Sequence, residues 1–205
     1  METELADALP ALAAAARTVG SPQIRNAGTI GGNVGTASPA GDTLPFLAAM
    51  DAEVVLASTD GTRQLPLAEF VTGPKHTAIS PSEVIQAVRF PRVRGPQQFL
   101  KVGTRNAMVI SIACCALVVD LDGRRVRCAF GSVAPRPLRV NDAEDFISDA
   151  MDWAAVTAEP DAVRRFGELA AAAANPISDH RGTADYRRHT VRVMAERALT
   201  RSLRA

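Results

Sequence analysis

The chain has 205 residues and a formal net charge of +1, with 47% hydrophobic and 22% charged residues, and its mean hydropathy is +0.03. That length suits one large domain or two small ones with a real core, and the composition excludes disordered, collagen-like and membrane-embedded classes. Near-neutral charge supplies no global attraction to nucleic acid or to an acidic substrate.

The opening "METELADALPALAAAAR" sets acids before a short Ala-rich run. This predicts a capped amphipathic helix with Thr3 as cap, since a signal peptide needs a basic start and a longer apolar core. No stretch approaches the roughly 20 apolar residues of a membrane span, so the cytoplasm is the expected location. Pro10 is placed to open a helix that Gly20 ends. A glycine-rich stretch follows, then a short helix over "DTLPFLAAM". Strand-like runs come next at 52–58, at "RQLPL" after an Asp60-Gly61 turn, and at 83–90. The segment "FVTGPKHTAISPSE" between them reads as a surface loop. "FPRVRGPQQ" (90–98) is the best internal boundary. Beyond it "QQFLKVGTR" has strand character, and 108–130 holds two apolar runs around Asp122-Gly123, the dipeptide suited to a tight hairpin. Helices are predicted near 141–149, near 160–174 and after Gly182. In the last, Val191, Met194, Ala195, Ala198 and Leu199 form an apolar stripe and the arginines (Arg187, Arg188, Arg192, Arg197, Arg201, Arg204) lie elsewhere. The expected class is α+β in two lobes. The arginines suit a solvated face or a partner's acidic surface; no aromatic platform accompanies them for nucleic acid.

The cysteines Cys114, Cys115 and Cys128 include no C-x-x-C, and adjacent Cys114 and Cys115 point to opposite faces of a strand. Buried thiols are expected, with no metal site.

The stretch "IRNAGTIGGNVGTASPAGDTLP" (24–45) asks for a function. Four glycines (Gly28, Gly31, Gly32, Gly35) fall within eight residues. Consecutive amides turned one way form a nest for an anion, phosphate above all. There is no Walker lysine and no G-x-G-x-x-G spacing, so a phosphate here would meet main-chain dipoles and Thr29, Asn33 and Thr36. The same residues also allow a bare connecting loop, or an unrelated phosphate-binding module.

Taken together, "SPQIRNAGTIGGNVGTASPAGDTLPFLAAMDAEVVL", "GPKHTAISPSEVIQAVRFP", "FLKVGTRNAMVISIA", "LDGRRVRCAFGSVAPRPLRV" and "ISDHRGTADYRRHTVRVMAERAL" resemble the FAD-binding medium subunit, or domain, of the molybdenum hydroxylases, the xanthine dehydrogenase and carbon monoxide dehydrogenase type. The resemblance covers essentially the whole chain. It implies part of a PCMH-type (vanillyl-alcohol-oxidase type) FAD-binding domain over 1–92, then an antiparallel-sheet-plus-helices C-terminal flavoprotein domain over 97–205. It further implies that Thr29, Ile30, Gly31, Gly32 and Asn33 wrap the FAD diphosphate, that Asp42 and Lys101 reach the cofactor, and that Ile85 flanks the flavin ring. Read without the resemblance, Asp42 is also a cap for the following helix and Lys101 a solvated strand residue.

By the same resemblance the chain is an oxidoreductase subunit with no catalytic acid or base of its own. It would receive electrons from [2Fe–2S] clusters on a small subunit, fed by a molybdopterin-containing large subunit, and pass them to NAD+, oxygen or a quinone. Two departures stand out. Where many relatives carry Arg-x-Ala-x-Asp-Ile, this sequence has Arg105-Asn106-Ala107-Met108-Val109-Ile110. Relatives also begin with a subdomain carrying a second glycine motif, which does not precede Met1–Arg17 here. Its loss would weaken FAD binding and leave a strand edge open, which raises the alternative of a flavin-free assembly subunit.

Overall fold

A computed structural model describes residues 2–204; the side chains of Glu2, Thr3 and Leu5 lie outside that description, and with them the expected Thr3 cap. Helices α1 (Glu2–Ala8) and α2 (Pro10–Thr18) open the chain, the second with proline in its first turn. Gly20 follows at φ +48°, the left-handed conformation that a glycine adopts without strain, and a side chain there would meet Ile24. Then come α3 (Pro22–Ala27), α4 (Ile30–Thr36) and α5 (Leu44–Ala49). Strands β1 (Glu53–Ser58) and β2 (Gly61–Pro66) form a hairpin, α6 (Leu67–Phe70) follows, and β3 (Val71–Gly73) pairs with β4 (His76–Thr77). The segment expected as a plain surface loop therefore contains a small antiparallel hairpin, turned by Lys75 at φ +60°. Strand β5 (Val84–Arg89) returns to β1, giving a three-stranded sheet in the order β2-β1-β5.

The second sheet is β6 (Gln97–Val102), β7 (Ala113–Asp120), β8 (Arg125–Gly131) and β9 (Leu138–Arg139), antiparallel in that order. The β7–β8 turn is a four-residue loop, not a two-residue one: Asp120 pairs with Arg125. Its positive φ falls on Arg124 (+49°), while Asp120 Oδ1 accepts the Gly123 N–H at 2.8 Å. Three helices complete the chain: α7 (Asn141–Ala150), α8 (Pro160–Ala173) and α9 (Ala184–Ser202).

Strand β7 explains how the halves join. All eight of its residues are buried, because side chains alternate across a strand and here both faces are covered. Ala113, Cys115, Leu117 and Val119 enter the core made with α7, α8 and α9. Ala116 and Val118 enter a second core with Leu12, Phe46, Leu47, Val54 and Leu56. Burying a side chain of this kind contributes about 1.5–3 kcal/mol, so the central sheet serves as a shared wall. The stripe on α9 faces the first core as its spacing predicts, but Arg187 is not a surface cation. It is buried, donating to the Ser132 carbonyl (2.9 Å), the Ile112 carbonyl and Asp179 Oδ1 (2.7 Å). Arg188 and Arg192 pair locally with Asp185 and Glu196.

Candidate cofactor site

The glycine-rich stretch is not a nest of alternating backbone signs. Gly28, Gly31, Gly32 and Gly35 all lie outside the positive-φ region, and residues 30–36 are helical. Thr29 caps α4, its hydroxyl accepting the Gly32 N–H at 2.9 Å, and Thr36 donates to the Gly32 carbonyl at 2.8 Å. Buried Val34 and packing against β5 hold the helix in place. Each glycine in a helix costs about 1 kcal/mol relative to alanine. Local packing explains two of the four: a Cβ on Gly28 would stand 3.0 Å from the Ile24 carbonyl, and one on Gly35 3.2 Å from Ile85 Cδ1. It does not explain Gly31, where a Cβ would sit 3.7 Å from Ile85 Cγ2, an ordinary contact; on exposed Gly32 it would meet only the Thr29 hydroxyl, at 3.1 Å. The Ile30 and Gly31 amides, in the first turn, have no acceptor among the described residues. What the sequence suggested as a nest is thus a bare helix start with its donors free.

Next to it lies a buried ion pair. Lys101 on β6 donates to Asp42 Oδ2 at 2.5 Å and to the Thr18 carbonyl at 3.1 Å, and the Thr18 hydroxyl donates to the same Oδ2 at 3.0 Å. The side chains of Lys101 and Asp42 are 11% and 6% exposed, so Lys101 is not the solvated strand residue that its type alone allows. Nor does Asp42 cap α5: that helix starts without a side-chain cap. Burial pushes the Asp42 carboxyl above its ordinary range, against the opposing pull of Lys101 and of the Thr18 and Ser111 hydroxyls. Asp42 Oδ1 is buried with no hydrogen-bond partner. Cys114, beside this cluster, is pushed up to about 12 by burial and then by the Asp42 charge; its thiol stays protonated and inert.

Three adjoining hollows surround these groups. One of about 360 Å³ is lined by Thr29, Ile30, Asn33, Thr43, Arg17 and Arg25. A second, of about 240 Å³, is lined by Asn33, Asp42, Ser38, Met108 and Val109. The largest, about 740 Å³, carries Lys101, Arg17, Arg25, Arg105 and Phe99. Shared walls (Asn33, Val19, Gly20, Arg17) make them one groove. Arg25 is itself held by the Val19 and Gly20 carbonyls at the end of α2. Val109 lines two of the hollows and fills the space beside Gly103.

Of the residues singled out from sequence, Thr29, Ile30, Asn33, Asp42 and Lys101 line this groove, with Gly31 and Gly32 on the adjoining turn of α4. Ile85 stands apart: half-buried on β5, it lies beneath Gly31 and Gly35 and outside the groove lining. Sequence reasoning missed Thr18, which is 24 positions from Asp42, and Thr43, whose hydroxyl donates to Asn33 Oδ1 at 2.6 Å. The Asp42-Thr43 adjacency was a usable signal for Thr43; nothing local pointed to Thr18.

A helix start with free amides and an orphaned buried carboxylate oxygen thus border one groove whose walls carry Arg17, Arg25, Lys101 and Arg105. Residues 1–93 match the family model described as "FAD binding domain in molybdopterin dehydrogenase", and residues 98–202 match "CO dehydrogenase flavoprotein C-terminal domain". Similar chains include the glyceraldehyde dehydrogenase medium chain of Sulfolobus acidocaldarius, 31% identical over 93% of this chain and 66% of the relative. The xanthine dehydrogenase FAD-binding subunit of Escherichia coli O157:H7 is 31% identical over 96% of this chain and 68% of the relative. Among solved structures, the reconstituted CO dehydrogenase from Oligotropha carboxidovorans superposes with a TM-score of 0.86 at 28% identity, over 98% of this chain and 70% of that one. The chain belongs to the FAD-binding medium subunits of the molybdenum hydroxylase family. It spans about two thirds of the length of the curated relatives it matches.

Proposed function

We propose that this chain holds FAD as the electron-transfer component of a molybdenum hydroxylase, with residues 1–92 and 97–205 as its two domains. Its partners would be a molybdopterin-containing large subunit and a [2Fe–2S] small subunit in the cytoplasm, with NAD+, oxygen or a quinone as acceptor. The observation that carries the reading is the first turn of α4, where Gly31 is left bare although the fold has room for a side chain and would gain from one.

The residues present fit the cofactor. The free Ile30 and Gly31 amides would hold a phosphoryl oxygen, with the α4 dipole and the Arg17 guanidinium adding positive potential. Thr29, by accepting from Gly32, keeps that turn wound. The Asp42–Lys101 pair fixes β6 against α2, so the groove wall is set before the cofactor arrives. Ile85 braces α4 from below. FAD, when bound, supplies the redox chemistry, taking up and releasing two electrons; the chain supplies position and electrostatic environment.

The test is optical. Protein purified together with its partner subunits should carry flavin absorbance, and replacing Gly31 and Gly32 with valine should remove it while the complex still assembles. A colourless assembled wild-type complex would sink the proposal.

A further inference from the structure

A fourth hollow, of about 190 Å³, shares no lining residue with the cofactor groove. Both halves of the chain build it. The first supplies Ala48 of α5 and the buried Ala52, Leu67 and Val71; the second supplies Arg136 and Pro137 from the segment joining β8 to β9.

The polar groups of its wall are spent, with one exception. Asp51 receives Arg139 on Oδ1 and Arg127 on Oδ2, each at 2.5 Å. Arg139 also donates to both oxygens of Glu144 and to the Ala48 carbonyl. Arg136 differs. Its Nη1 donates to the Ala68 carbonyl at 3.1 Å and to the Val71 carbonyl at 3.5 Å, while its Nε and Nη2 have no acceptor among the described residues. Pro135 and Pro137 flank it and restrict its backbone, so the side chain is held at both ends.

The unused edge defines the polar end of a ligand. Nε and Nη2 present two parallel N–H groups that match the two oxygens of a carboxylate. Three other arginines of this chain spend that same edge on an acid: Arg63 on Glu83, Arg94 on Asp122 and Arg139 on Glu144. Arg136 has the edge and lacks the acid. The walls define the other end. They are mostly apolar, and a dry cavity of about 150 Å³ holds benzene, so a hydrocarbon body of that size fits here. A partner's aspartate or glutamate would reach Arg136 but carries no apolar body to fill the floor.

We infer that this hollow is a binding site for a small monocarboxylate with a compact aryl or branched apolar body. The carboxylate lies on Nε and Nη2 of Arg136, and the body rests against Ala52, Leu67 and Val71. The site is independent of the FAD reading, since no residue of the cofactor groove takes part.

The test is isothermal titration calorimetry of the full chain with benzoate and with benzamide, which has nearly the same shape and no charge. Ionic strength is held constant, because Arg136 is exposed and screened by salt. Benzoate should bind saturably in the millimolar range and at least about tenfold more tightly than benzamide, the scale of one charge-assisted pair. Arg136→Lys keeps the charge but not the fork. It should weaken benzoate about tenfold and leave benzamide unchanged, whereas an arginine that only clasps α6 would alter both ligands alike or neither. Ala68→Phe, at an exposed position on the lining, should exclude both ligands while the Ala68 carbonyl still holds Arg136. Should the lysine variant fail to fold, the wild-type comparison and Ala68→Phe decide. Absence of saturable benzoate binding by wild type, equal affinity for the two ligands, or benzoate affinity that survives in either folded variant overturns the site. Flavin content is a separate readout, so none of these results bears on the FAD reading.

Discussion

Replacing Lys101 with methionine is the most direct probe of how the groove is held together. The ammonium and the Asp42 carboxylate are 11% and 6% exposed and 2.5 Å apart, so neither is screened as a surface pair would be. Methionine fills most of the lysine volume but leaves the carboxylate with the Thr18 hydroxyl as its remaining close donor. Removing one partner of such a pair costs about 3–5 kcal/mol, because the remaining charge is buried uncompensated. That is a large share of a typical total of about 5–15 kcal/mol. The loss must depend on pH in a particular direction. Burial already raises the Asp42 carboxyl, and loss of Lys101 raises it further. An acid whose pKa is higher folded than unfolded binds more protons when folded. The penalty is therefore absent below the unfolded value, about 3.9, and grows as pH rises through the folded value. Urea unfolding of Lys101→Met should show its largest deficit at pH 8 and a much smaller one at pH 5. Lys101→Met combined with Asp42→Asn should recover most of the loss at pH 8. A deficit under about 1 kcal/mol, the same at both pH values, would mean that the pair behaves like an exposed one, and the groove would need another explanation for its rigidity.

Gly31→Ala should separate folding from binding. The added methyl makes only ordinary contacts and should stabilise the apoprotein by up to about 1 kcal/mol, a rise of roughly 2–4 °C in melting temperature for a chain this size, while FAD affinity falls; equal stability and equal affinity would remove the reason for glycine there. Arg187→Leu should cost about 3–5 kcal/mol, since it takes the guanidinium donor from the Ile112 and Ser132 carbonyls and removes one of the several donors to Asp179; chemical denaturation measures it. Acidification should lower the stability of the fold at two acids. Desolvation pushes the Asp179 carboxyl up, but the Arg181 N–H and the Arg187 guanidinium outweigh it and hold it well below the usual range. Hydrogen bonds from Arg63 and the Ser80 N–H hold Glu83 at about 2. Both are acids with depressed folded values, so their stabilisation is complete above about pH 4.5 and is lost as pH falls toward 2. Circular dichroism across that range should show the loss, and replacing Asp179 with asparagine should flatten it.

What the sequence disclosed follows from how far each signal reaches along the chain. Strands β1, β5, β7 and β8 and helices α7, α8 and α9 were legible because their apolar periodicity is written within a few consecutive residues. The β3–β4 hairpin was not, since two- and three-residue strands carry no periodicity, and the β7–β8 turn misled because Asp122-Gly123 is a strong two-residue signal inside a loop of four residues. Composition at 28–35 rightly marked a place where bare backbone matters, yet it suggested positive φ where the structure has a helix: glycine frequency records that side chains are unwanted, not which conformation results. The resemblance singled out Asp42 and Lys101 as cofactor neighbours, and it could not reveal that they bind each other, because a contact spanning 59 positions leaves no local trace. That contact also resolves an apparent contradiction in the site. A buried aspartate would ordinarily be expected to lose its charge, and a groove lined by Arg17, Arg25, Lys101 and Arg105 would lose positive potential to a bare anion. Pairing with Lys101 lets Asp42 sit in the groove wall without presenting net charge, so the cationic lining keeps its field while β6 is tied to α2.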